Sequence, residues 1–137
     1  MNSGFVRANR APSEYVWMCL TTKLVQFSGR SRRLEYGSIV LFGTIYAGLA
    51  LIVEIGLLSI SNTAGLIGLV VVGPIVIWML LAGTAATVRR LHDLGHSGWW
   101  ILLAGVPVAA VVMTFYLIFK DGSPNLNRFG PSPKHFA

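Results

Sequence analysis

Two short stretches carry nearly all the polar chemistry of this chain. The first reads Gly29-Arg30-Ser31-Arg32-Arg33-Leu34-Glu35-Tyr36, and the second Arg89-Arg90-Leu91-His92-Asp93-Leu94-Gly95-His96-Ser97-Gly98-Trp99-Trp100. Five arginines there face two carboxylates, Glu35 and Asp93. A planar guanidinium grips a carboxylate or a phosphate at two points, so the cluster has two readings. Arg30, Arg33, Glu35, Arg89, Arg90, His92 and Asp93 either bind a phosphate-bearing ligand, most simply a lipid headgroup, or latch two chain segments together through ion pairs. In the latch, His92 would hydrogen-bond internally, and its titration near neutral pH would make the loop pH-sensitive. His92 and His96 are four apart, the spacing of two metal ligands on one helix face, but Gly95 and Gly98 interrupt that helix and a third strong ligand is missing nearby. No metal and no cofactor is therefore expected. No Ser/His/Asp set, phosphate-cradling glycine loop or spaced cysteine pair is present, so nothing nominates a nucleophile and no enzyme is expected. The single cysteine, Cys19, is read as a buried thiol or, alternatively, a lipidation site.

The elements that must position these residues are apolar. Of 137 residues, 54 % are hydrophobic and only 12 % charged, and mean hydropathy is +0.66. A soluble domain carries about 25 % charged residues. Disorder, collagen and a disulfide scaffold are excluded by the apolar content and the lone cysteine. The fold class that follows is an all-α integral membrane protein with three transmembrane helices preceded by an amphipathic interfacial helix. The spans are expected at about 37–58, 65–88 and 99–119, each long enough to cross a hydrocarbon core of ~30 Å at ~1.5 Å per residue. Strands are not credible, because the runs do not alternate and open sheet edges are forbidden in lipid. The interfacial helix is placed at 13–28, with Ser13 as N-cap, Trp17, Leu20, Leu24 and Phe27 at helical spacing, and Gly29 as the stop. An ordinary helix packed on the protein fits that pattern equally. Trp99 and Trp100 read as interface anchors opening the third span. Residues 1–12 form a flexible tail without a signal peptide, 13–120 the membrane domain, and 121–137 a turn-rich cap. Ser59–Ala64 is a tight link that makes the first two spans an antiparallel hairpin. Pro74 and Pro107 should kink their helices, and Gly43 with Ala47, Ala82 with Ala86, and Gly105 with Ala109 offer close-approach faces.

Eleven Lys and Arg against five Asp and Glu give a net charge of +6. Because the basic residues flank apolar runs, the partner they imply is anionic lipid, not nucleic acid. Six precede the first span, two lie between the second and third, and three follow the third. For three full spans the positive-inside rule then favours a cytoplasmic N-terminus and an external C-terminus. Pro107 leaves open a re-entrant hairpin that would return the basic tail to the inside. Glu54 is the one ionisable residue within an expected span, an intramembrane acid and a functional candidate by default. Its depth, roughly 26 Å beyond Gly37, favours an exposed rim carboxylate over an ion relay.

At three places the chain resembles the DUF805 family of small bacterial inner-membrane proteins. A Gly-Arg-x-x-Arg-x-Glu-aromatic motif is matched by Gly29, Arg30, Arg33, Glu35 and Tyr36. Arg-Arg-Leu-His-Asp followed by Gly-Trp-Trp is matched by Arg89 to Asp93 and Gly98 to Trp100. The ending Asn-x-aromatic-Gly-Pro-x-Pro is matched by Asn127, Phe129, Gly130, Pro131 and Pro133. The chain departs from the pattern at Gly37, Ser132 and Pro124-Asn125. The resemblance implies a multi-pass protein of the bacterial inner membrane and brings no activity with it.

Three function classes are compatible with this reading. The first is a non-enzymatic accessory subunit of a larger membrane complex, or a small scaffold, whose partners are lipids and another membrane protein or further copies of itself. The second is a small channel or transporter component using Glu54 and the kinked helices. The third is a protein that binds anionic lipid headgroups through the arginine cluster.

Overall fold

Residues 11–133 are described by a computed structural model, mainly helical, with non-helical segments at 21–32 and 94–97. The order is α1 (Pro12–Leu20), α2 (Arg33–Ile60), α3 (Asn62–Asp93), a 3-10 helix η1 (Gly98–Gly105) and α4 (Pro107–Phe119). Of the expected tail 1–12 and cap 121–137, residues 1–10 and 134–137 lie outside the described residues.

The first helix is shorter than the expected 13–28. Pro12 takes its opening turn after an extended Ala11, and the N-cap makes no side-chain hydrogen bond, so Ser13 lies inside the helix and is not its cap. The helix gives way after Leu20, where Thr21 and Thr22 donate their hydroxyls back to the carbonyls of Trp17 and Met18. Gly29, with φ +87°, bends the chain eight residues further on and does not end the helix. Tyr15 and Cys19 face inward, with Val16, Leu20 and Leu24 packed on the core. Of the four residues at helical spacing, Leu20 and Leu24 pack on the core while Trp17, 70 % exposed, and Phe27 turn outward.

Helices α2 and α3 form an antiparallel hairpin whose expected six-residue link shrinks to one residue. Ser61 is extended, and its hydroxyl accepts the Ala64 N–H at 3.0 Å, which caps α3. Gly65 and Gly68 make the close approach possible, because a Cβ on either would collide with Leu58, Leu57 or the Glu54 carboxylate. With 28 and 32 residues, both helices are long and apolar enough to cross a membrane. Pro74 lies inside α3 without ending it. The core sits at one end of the hairpin, where Cys19, Tyr36, Ile39, Ala82, Ala86, Leu91, Met113 and Leu117 cluster. Beyond it the large apolar side chains point outward, Ile52 at 68 % and Val70 at 73 % exposure. Apolar surface on that scale belongs in lipid or against another protein.

The third apolar run is not the single span expected over 99–119. Val106 is extended at φ −106° and ψ 114°, as a residue before proline prefers, and separates η1 from α4. The 13 residues of α4 extend only ~20 Å, short of a ~30 Å hydrocarbon core. The two pieces double back: His96 contacts both Trp100 at the start of η1 and Tyr116 near the end of α4. The tail that follows α4 therefore returns to the end of the hairpin where α2 begins and α3 stops. The doubled-back geometry is that of the hairpin Pro107 left open, and the tail lies against Arg30 and Arg90 at that end.

Candidate functional site

That shared end gathers both polar stretches and the tail into one buried network. Arg30 reaches it from the turn before α2. Its Nε donates to Asp93 Oδ1 at 2.8 Å, and Nη1 donates to the carbonyls of Asn125 (2.9 Å) and Gly130 (3.2 Å). Nη2 donates to the Ser123 carbonyl and to its hydroxyl oxygen. Arg90, on the last turns of α3, pairs with the other oxygen of Asp93, while its Nε donates to the Leu117 carbonyl at 2.9 Å and Nη2 to that of Lys120. Asp93 thus stands between two buried guanidiniums, and the three charges fasten α2, α3 and the tail together.

A second buried group forms around Glu35, in the first turn of α2. Arg89 Nη2 donates to Glu35 Oε1 at 3.1 Å, and Lys23 Nζ lies 3.3 Å from the same oxygen. Arg89 Nη1 donates to the carbonyls of Lys23 and Gln26, which ties down the segment after α1. Cys19 completes the group, its Sγ 3.7 Å from Glu35 Oε1. Burial, reinforced by the Glu35 carboxylate, pushes the Cys19 thiol up to about 11, so the thiol stays protonated and inert at neutral pH. Arg89 Nε and Ser31 Oγ are buried without a partner among the described residues.

His92 and His96 point to different surroundings. The His92 ring stacks flat on Phe129, 3.8 Å between centroids, and its Nδ1 faces the Gly29 carbonyl at 3.3 Å. His96 Nε2 meets the Tyr116 hydroxyl at 3.1 Å. Gly95, at φ +80°, turns the chain between them. Arg33 stands apart from the buried cluster, in an exposed pair with Asp121 at 3.2 Å. Trp99 and Trp100 lie exposed at the start of η1. Glu54 is not brought to the cluster: it lies 21 residues beyond Arg33, ~31 Å along α2, against Gly68 of α3.

The tail closes the network. Asn127 Nδ2 donates to the His92 carbonyl at 2.9 Å, its Oδ1 accepts the Phe129 N–H, and its backbone pairs with Gly130. Gly122 passes so close to Asp93 that a Cβ would overlap the carboxylate. Ser123, Asn127, Gly122, Lys23 and Cys19 are members of the site that reasoning from the two arginine stretches does not reach. For the tail the available signals were its turn-rich composition and the match of Asn127 to the family's ending motif.

The three sequence motifs thus meet at one place, and the family model for Protein of unknown function (DUF805) matches residues 24–131, which contain the first two and all of the third but its last proline, Pro133. The chain belongs to the DUF805 family. Among DUF805-like relatives, Inner membrane protein YhaH of Escherichia coli K12 is 33 % identical over 110 residues, 80 % of this chain and 88 % of the relative. Inner membrane protein YhaI of the same strain is 29 % identical over 119 residues, 86 % of this chain and 94 % of the relative. No solved structure matches the chain. The DUF805 assignment, the inner-membrane relatives and the outward apolar surface agree on a membrane protein.

Proposed function

We propose that this chain is a non-enzymatic, multi-pass component of the bacterial inner membrane, acting as an accessory subunit of a larger complex or as a small scaffold. The observation that supports it is the fate of the arginines. Arg30, Arg89 and Arg90 donate to carboxylates and backbone carbonyls of their own chain, which favours the latch over a headgroup site built on them. What the molecule presents outward is the apolar surface of α2 and α3, a surface suited to lipid and to helices of another protein. In this reading α2 and α3 cross the bilayer, η1 and α4 enter and return, and all the described Lys and Arg face the cytoplasm with the N-terminus, as the positive-inside rule favours. The pore alternative has less support, because Glu54 sits alone near the far end of α2.

Native mass spectrometry after mild extraction from the native membrane tests the proposal. A stoichiometric foreign polypeptide, or a defined homo-oligomer, is the expected result. A monomer carrying only lipid would overturn it.

A further inference from the structure

Between α2, α3 and the doubled-back η1–α4 piece lies a cavity of about 440 Å³, open on one side between the helices. Its walls include Val40, Gly43, Ala47, Met79, Gly83 and Met113. Five of the hydroxyls inside it, four of threonines and that of Tyr36, are already committed. Thr44, Thr84, Thr87 and Thr114 each donate to a carbonyl of their own helix, and the Tyr36 hydroxyl is within hydrogen-bonding reach of Thr87 and Thr114. Tyr46 brings one further hydroxyl, and the remaining walls are mainly apolar, so the space suits a hydrocarbon guest better than a polar substrate. A volume of this order falls in the ~300–1,000 Å³ range of small-molecule sites, and a helix ~10 Å across would fit for only about one turn.

The rim adds a charge. Arg33, Tyr36, Val40, Gly43 and Ala47 follow one another at three- and four-residue steps, so Arg33 stands one turn below the cavity on the face of α2 that lines it. Its guanidinium is 45 % exposed, and its partner Asp121 is 61 % exposed. The exposed Lys120 adjoins Asp121 at the end of α4. With Asp121 counted, the rim carries a net positive charge. Unlike Arg30, Arg89 and Arg90, Arg33 is held by an exposed pair of the kind worth little in solvent.

We infer that the cavity holds one acyl chain of an anionic membrane phospholipid whose phosphate rests against Arg33 and Lys120. This does not depend on the subunit reading, since a lipid-bearing monomer would satisfy it. The experiment is native mass spectrometry of delipidated full-length protein, titrated with phosphatidylglycerol or with phosphatidylcholine of the same chains. The expected result is a single saturable phosphatidylglycerol adduct. The preference over phosphatidylcholine should fall about fivefold for each of Arg33→Gln and Lys120→Gln and rise for Asp121→Asn. A Cβ at Gly43 or Gly83 meets nothing within 4 Å, so Gly43→Leu with Gly83→Leu should fill the space, abolish the single adduct and leave the melting temperature near that of wild type. If that double variant fails to fold, the opposite shifts at Arg33 and Asp121 carry the test alone. A statistical ladder of adducts without headgroup preference would overturn the inference, as would an adduct untouched by the filling variant, or a lipid-free dimer that excludes lipid.

Discussion

Asp93 accepts from two buried arginines at once, and its backbone carbonyl also receives the Ser123 N–H at 2.9 Å. Neutralising it leaves two buried cations facing each other, so Asp93→Asn should lower stability by about 3–5 kcal/mol, the cost of breaking a buried pair from one side. Thermal unfolding in detergent measures this, with Arg33→Gln, whose pair is exposed, as a nearly neutral control. Cys19 gives a second test at this scale. Its thiol, raised from 9.0 to about 11, should resist maleimide at pH 7–8 in the intact protein and react readily once unfolded. An unfolded chain loses that proton first, so stability should decline between about pH 9 and 11 through this group. The sequence made the two carboxylates legible as the anchors of the arginines, because charge at an apolar boundary needs a partner. The acceptors on Asn125 and Gly130 were not legible, since a backbone carbonyl 95 or 100 residues away leaves no trace in residue type.

At the scale of elements, the tail depends on one glycine. A Cβ at position 122 would occupy the space of the Asp93 carboxylate, so Gly122→Ala should displace residues 121–133 while leaving the α2–α3 hairpin formed. Limited proteolysis should cut the variant within the tail under conditions that spare wild type, with helical circular dichroism unchanged; equal resistance would show that the tail docks without Gly122. The two long helices were legible because uninterrupted apolar runs of that length have few other uses. The third run deceived the same criterion. Apolar length counts residues but is blind to a reversal, and of the two readings of Pro107, a kink within one span or a hairpin, the structure has the chain double back there. Likewise α1 stops early because adjacent threonines compete for its carbonyls, a local effect that the spacing of Trp17, Leu24 and Phe27 does not reveal.

For the whole molecule, the doubling back puts the end of the described tail beside the start of α2, where Arg32 donates to the Pro133 carbonyl. With Cys19→Ser as background, Pro124→Cys should be labelled by an impermeant maleimide from the cytoplasmic side only, and Ser61→Cys from the periplasmic side only. Labelling of both from the periplasm would restore three full crossings. That the protein belongs in a membrane was legible from composition alone, whereas the reversal between η1 and α4 rests on contacts between distant segments that hydropathy does not record.

The return of the tail also sets an order of events during synthesis. Arg30 is translated more than 90 residues before the carbonyls of Ser123, Asn125 and Gly130 that receive it. Until then Asp93 can neutralise Arg30, but most of the guanidinium's donors have only water to bind. A nascent chain halted before residue 123 thus leaves an open polar seam beside the bilayer, and a finished one seals it.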